Sequence, residues 1–234
     1  MHKYITILLL LLPIWLAASP FTLISESESE LILEFNLPEY SLEDVSLGGQ
    51  SWKKLLAEDG SVFGEEGQPQ LLSFSTAVGV PSGGSIRVEI MDSQTSQVRD
   101  VRLVPALKLV LDGEEPSYVF YQDNRSYSRS VLYPELQVSS EATACIGDRS
   151  FVPLQVFPFQ YRASERELLV SNKLRLRVQI VGSRTASPDW QISENPIDSV
   201  GDSFFINNAS SRAWRVPREQ DNTYQSPRAG TSRI

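Results

Sequence analysis

Apolar and polar residues alternate in short runs along most of this chain. Leu31, Leu33, Phe35 and Leu37 fall on one face of an extended backbone, with Glu34 and Asn36 on the other. Ile86, Val88 and Ile90 alternate with Ser85, Arg87 and Glu89, and Val152, Leu154 and Val156 share a face. Leu174, Leu176, Val178 and Ile180 alternate with Lys173, Arg175, Arg177 and Gln179. Successive side chains of a strand project to opposite faces, so a period of two predicts strands with one buried and one wet face, as in antiparallel sheets. Phe74 to Val80 and Leu136 to Ala144 carry a weaker form of the signal, and Trp52 to Leu56 fits one helical turn as well as a strand. Turn chemistry punctuates these runs at Asp59-Gly60, Gly67-Gln68-Pro69, Pro81-Ser82-Gly83-Gly84, Asp112-Gly113 and Tyr133-Pro134. The Pro-Ser-Gly-Gly stretch reads as a hairpin loop. No segment sustains a helical period with caps. The expected fold is all-β, an antiparallel β-sandwich followed by a polar C-terminal tail.

The pattern breaks at both ends. His2 and Lys3 precede a nearly unbroken apolar run from Ile5 to Leu16, and Ala17-Ala18-Ser19 supplies small residues for cleavage. This is the layout of a secretory signal peptide, expected at residues 1–18 with the cut after Ala18. The run is shorter than the roughly 20 residues needed to span a bilayer, so no membrane span is expected after cleavage. Residues 19–30, with Ser25-Glu26-Ser27-Glu28-Ser29-Glu30, read as an acidic, solvated leader. The sandwich is expected over 31–181. Residues 182–234 are rich in Ser, Asn, Asp, Pro and Arg and read as a linker or tail; Phe204, Phe205 and Trp214 are its candidates for docking on the domain.

Composition narrows the functions. The formal net charge is −8 over 234 residues, and removing the signal peptide takes away Lys3 and no acid. An acidic surface repels phosphate backbones, so nucleic acid is not an expected partner. One cysteine, Cys145, allows no internal disulfide; its apolar neighbours predict a buried small side chain. The lone histidine, His2, lies in the signal peptide. The remainder therefore lacks a Ser-His-Asp triad, a Cys-His dyad and a zinc site of the usual type. No Gly-rich phosphate loop is present. No catalytic residue, metal site or cofactor is expected.

Two features carry candidate chemistry. The segment Asp112 to Ser130 is polar and holds Tyr118, Tyr121, Tyr127, Arg125 and Arg129. It reads as an exposed loop contacting a partner, since Tyr and Arg dominate binding hot spots, or as an ordinary strand connection. The tail carries Arg212, Arg215, Arg218, Arg228 and Arg233 in Pro-containing sequence. It reads as a proteolytic processing region or as a solvated linker.

Several elements in order resemble the propeptide of gingipain-type cysteine peptidases. They are Gly67-Gln68-Pro69-Gln70-Leu71, then Val80-Pro81-Ser82-Gly83-Gly84-Ser85 leading into Ile86-Arg87-Val88-Glu89-Ile90, then Val104-Pro105. Tyr133-Pro134, Phe157-Pro158-Phe159-Gln160-Tyr161 and the run from Leu168 to Val181 resemble the closing pattern of that family. One departure is Arg162-Ala163, where the family has Asn-Pro after the Tyr. The resemblance spans roughly residues 30 to 181. It implies a β-sandwich pro-domain that precedes a caspase-like cysteine protease domain in a secreted or cell-surface precursor, exported via the periplasm if the source is bacterial. Such a domain acts as intramolecular inhibitor and chaperone until cleavage at basic residues, with Arg125 or Arg129 offered to the specificity pocket. Two other readings stand beside it. A non-enzymatic extracellular binding or adhesion module would place Trp52, Tyr118 and Tyr121 on one exposed face. A carboxylate-based hydrolase would place two acids across a cleft.

Overall fold

The computed structural model describes residues 19–111, 117–182 and 203–215. The predicted signal peptide lies outside these residues, as do Arg218, Arg228 and Arg233. The strands in chain order are β1 (Phe21–Glu26), β2 (Glu30–Asn36), β3 (Tyr40–Leu47), β4 (Gln50–Ala57), β5 (Ser61–Phe63), β6 (Leu71–Val80) and β7 (Ser85–Val98). They continue with β8 (Lys108–Val110), β9 (Ser117–Val119), β10 (Val138–Ser140), β11 (Ala144–Ile146), β12 (Arg149–Val156), β13 (Phe159–Arg162) and β14 (Glu167–Val181). A short helix, Asn208–Ala213, follows.

Two antiparallel five-stranded sheets form the sandwich. In sheet one, β14 pairs with β7 along its length. It also pairs with β13 near its start and with β2 over Lys173–Gln179, and β1 lies beyond β2. In sheet two, β12 pairs with β6; β10 and β11 also pair with β12, and β5 pairs with β6. The hairpins β3–β4 and β8–β9 flank the sandwich.

Alternation decides what faces inward. Leu174, Leu176 and Val178 are fully buried beside Leu31, Leu33 and Phe35. They share one core with Leu71, Phe74, Val78, Val152, Leu154 and Val156 of sheet two. The rings of Phe35 and Phe74 meet across it with centroids 5.4 Å apart. Burying each such side chain is worth about 1.5–3 kcal/mol, and with no disulfide this burial carries the fold. On the outer face of sheet one, Lys173 pairs with Glu34 at 2.8 Å and Arg177 with Glu89 at 3.0 Å.

Several local expectations are corrected. The acidic stretch expected ahead of the sandwich supplies β1 and the β1–β2 turn, where Ser27 N donates to Glu30 O at 2.8 Å. Phe21 anchors it, buried with its ring 5.2 Å from that of Phe35. Pro81–Gly84 is not a hairpin loop: β6 lies in sheet two and β7 in sheet one, so the turn crosses between sheets. Ile90 is exposed although its pattern predicted burial, because β7 runs on past Ile86 with little packed over it. Cys145 is exposed, since the short β11 lies at the edge of sheet two. Trp52 to Leu56 is strand, within β4. Part of the tail joins the fold: Phe205 is buried, and Trp214 packs partly against the core.

The fully buried Leu176 gives a direct check. Leu176→Ala is expected to lower the unfolding free energy by about 2–5 kcal/mol in urea denaturation. Arg175→Ala, on the exposed face of the same strand, should change it by no more than about 0.5 kcal/mol.

Candidate functional site

The segment from Val101 to Ala106 is not a regular strand, yet its peptide groups are bonded to three neighbours. Val101 N donates to Arg166 O at 2.9 Å, and Lys53 N donates to Arg102 O at 2.7 Å. Val104 N donates to Lys53 O at 2.9 Å. Gln70 N donates to Val104 O, and Ala106 N to Gln68 O, both at 2.8 Å. The Gly-Gln-Pro-Gln-Leu and Val-Pro elements therefore lie side by side, with Pro69 and Pro105 bridged. Buried peptide groups need such partners, and here they fix the segment without a regular ladder.

The loop carrying Arg125 and Arg129 is fastened to this platform by aromatic rings. Tyr127 Oη donates to Leu103 O at 2.7 Å, and its ring meets that of Trp52 edge-on at 5.8 Å. Phe120 packs on Trp52 with centroids 5.7 Å apart. Trp52 is buried; its Nε1 donates to Leu47 O at 3.0 Å, and the Arg102 guanidinium stands 4.0 Å from its ring centroid. Tyr121 lies against Gly67, where a Cβ would sit 2.5 Å from its ring carbons. Gly67 also has φ +82°, so both space and backbone require glycine there. Its carbonyl accepts from Asp123 N at 3.0 Å.

Asp123 closes the turn. Its carboxylate accepts from Arg125 N and Ser126 N, each at 3.1 Å, and from Ser126 Oγ at 2.5 Å. These bonds hold the single 3-10 turn Ser126–Ser128. They favour the ionised form, the Ser126 hydroxyl most, and so keep the carboxyl below its ordinary value. Burial pushes the Tyr127 phenol up, which keeps it protonated as a donor. Beyond the turn, Arg129 O accepts from Ser164 N at 3.1 Å.

Arg125 and Arg129 are thus exposed on a turn whose backbone is held from several sides. Tyr121 shares that loop, half-exposed, and Tyr118 is exposed on β9. The start of the predicted segment, 112–116, lies outside the described residues. The supporting roles of Trp52, Gly67, Asp123 and Tyr127 were not legible in the sequence, where Trp52 and Tyr127 read as exposed contact residues and Gly67 as a turn of the family pattern. For the turn, the Asp-x-x-Ser spacing of Asp123 and Ser126, typical of side-chain-capped turns, was the available signal. Of the tail arginines, Arg212 is exposed on the short helix and Arg215 is buried, with Nε 3.7 Å from Asp148 Oδ1. Trp52 does not join Tyr118 and Tyr121 on an exposed face, which removes the aromatic platform an adhesion module would use. Asp44 and Asp100 both line an open cleft beside Trp52, but Asp44 is ion-paired with Lys53 at 2.8 Å. Among the described residues, no three His, Cys, Asp or Glu side chains gather to hold a metal.

Comparison with known proteins places these features in a family context. The Propeptide_C25 family matches residues 18–212. Gingipain R2 of Porphyromonas gingivalis is 23% identical over 188 residues, covering 78% of this chain and 24% of that protein. Gingipain R1 of the same species is 21% identical over 120 residues, covering 51% of this chain and 12% of that protein. The chain thus spans about a quarter or less of the curated relatives it matches. Among solved structures, the complex of Porphyromonas gingivalis RgpB pro- and mature domains aligns with TM-score 0.69 and 17% identity, covering 81% of this chain and 98% of that one. A structure addressing the zymogenic latency of gingipain K from Porphyromonas gingivalis aligns with TM-score 0.60 and 17% identity, covering 70% and 94%. The shared fold is that of the sandwich described above.

The Asp123 contacts predict a pH dependence. The folded carboxyl titrates below its ordinary value of 3.8. Its contribution to turn order is therefore complete above the ordinary value and is lost as pH falls through the lowered one. Amide exchange at Ser126 should be equally protected at about pH 5 and pH 7, once corrected for intrinsic rates. It should lose protection only as pH falls below the ordinary carboxyl value of 3.8 and through the lowered one. Asp123→Ala should abolish the protection at every pH while the core strands stay protected.

Proposed function

The chain belongs to the gingipain-type C25 propeptide family, and from that membership we propose that it is the N-terminal pro-domain of a secreted cysteine-protease precursor, keeping the protease latent until it is cut away. The observation that carries this reading is the family match from residue 18 to residue 212. The chain is in that case the inhibitory region of its precursor and not the catalytic one. The partner is a downstream caspase-like cysteine protease domain, as a pro-domain stands with its mature domain in the RgpB complex. Tethering supports latency physically. Two domains on one chain meet at an effective concentration of about millimolar, so a modest interface suffices before cleavage and more is needed after it.

Residues 1–18 act as the signal peptide that directs the precursor to the secreted or cell-surface compartment. The Arg125–Arg129 turn is the protease contact. Its rigidity supports the assignment: a segment offered to a protease cleft resists being cut when its backbone is held in place, and pre-ordering lowers the entropy lost on binding. Tyr121 and Tyr118 flank it as amphipathic contact area. Processing falls among the tail arginines Arg212, Arg215, Arg218, Arg228 and Arg233.

The test is an inhibition titration of residues 19–234 against the downstream catalytic domain, or a related Arg-specific secreted cysteine protease. Sub-micromolar inhibition is expected, weakened about tenfold or more by Arg125→Ala combined with Arg129→Ala. Unchanged inhibition by that double variant would remove the loop from the interface. No inhibition by a folded chain would remove the pro-domain reading itself.

A further inference from the structure

The residues just past the sandwich return to it by contacts more specific than apolar collapse. Phe205 is buried and forms a parallel bridge with Ala77 of β6, and Ile206 N donates to Ala77 O at 3.0 Å. Asn207 is fully buried, and its amide imitates a neighbouring strand: Oδ1 accepts from Gly79 N at 2.7 Å, and Nδ2 donates to Gly79 O at 3.0 Å. Gly79 permits this approach, since a Cβ there would lie 2.3 Å from Ser211 Cβ. From β12, the Arg149 guanidinium stands 4.0 Å from the Phe205 ring centroid and donates to Asn208 Oδ1 at 2.5 Å and to Ser211 Oγ. Arg215, at the end of the segment, is buried against Asp148.

The segment therefore occupies part of the edge of β6, and it places two of the five candidate processing arginines inside a docked structure. We propose that Phe205–Arg215 is a latch that selects the processing site, withholding Arg212 and Arg215 from proteolysis as long as sheet two is folded. A protease takes several residues of substrate in extended form. The bond after Arg212 lies in a helix packed on β6 and β12, and the bond after Arg215 follows a buried, ion-paired side chain. Cutting there requires the latch to open, and its rate follows the open population. Processing is thereby directed to arginines beyond the latch, Arg218, Arg228 or Arg233. Separation then leaves the segment on the sandwich instead of stripping it from sheet two. The role in processing rests on the pro-domain reading; the protection itself does not.

Limited trypsin digestion of residues 19–234, followed by mass spectrometry, tests the latch without any cognate protease. The bond after Arg215 is expected to be cut at least about a hundredfold more slowly than in a synthetic peptide spanning Ser210 to Gln220. Asn207→Ala should raise the rate in the folded chain about tenfold or more while circular dichroism keeps the wild-type β signal. Asp148→Asn, which leaves the Asn207 contacts in place, should raise it less; this second variant reads the latch if Asn207→Ala does not fold. A wild-type bond cut within a few-fold of the peptide rate overturns the proposal with no variant needed. Equal protection in wild type and in both folded variants overturns the latch as the cause. Protection against trypsin in a chain that inhibits no cysteine protease would retain the latch and discard the pro-domain reading.

Discussion

The structure depends on one strand. β14 runs for 15 residues with a strict alternation over its second half, and it pairs with β7, β13 and β2. Its inward residues, from Leu168 to Val178, are fully buried at the centre of the core. Removing this strand would leave β2, β13 and β7 without their common partner, so the register of sheet one is set by where these apolar side chains must point. Because the chain has one cysteine and no internal cross-link, the burial of that face against β6 and β12 is what holds the two sheets together.

A second, irregular constraint converts the sandwich into a candidate binding domain. Val101–Ala106 has no continuous ladder, yet its peptide groups bond to the Lys53 region, to Arg166 and to the Gly67–Gln70 stretch. Two tyrosines close on the same segment from different parts of the chain: Tyr127 through Leu103 O and Tyr161 through Val101 O, both at 2.7 Å. The exposed turn with Arg125 and Arg129 is consequently stiff, although it belongs to no sheet. Stiffness at a contact loop matters because ordering a floppy loop on binding costs free energy that a pre-ordered one has already given up.

The docked tail adds a third level. A sandwich exposes strand edges, and open edges invite unwanted pairing. At Ala77 and Gly79 that edge is covered by the chain's own Phe205–Asn207, with a side-chain amide in the place of a peptide. The segment that covers the edge also ends in the buried Arg215, so edge protection and the proposed choice of processing site rest on one piece of sequence.

Periodicity alone was sufficient for the all-β class and for the inward faces of β2, β12 and β14, because a two-residue repeat leaves few other ways to bury Leu31, Leu33, Leu174 or Leu176. The family pattern was legible too, in Gly67, Pro69, Val104 and Pro105, which the fold brings side by side. Other features belonged to the tertiary structure. Whether Pro81–Gly84 joins neighbours or crosses between sheets depends on which strands β6 and β7 pair with, and no local signal encodes that. The exposure of Ile90 and Cys145 depends on how far the opposite layer reaches. The paired roles of Gly67 with Tyr121 and of Gly79 with Asn207 depend on residues 54 and 128 positions apart in the chain. Local sequence fixes the direction in which a side chain points; what it meets there is set only when distant segments pack.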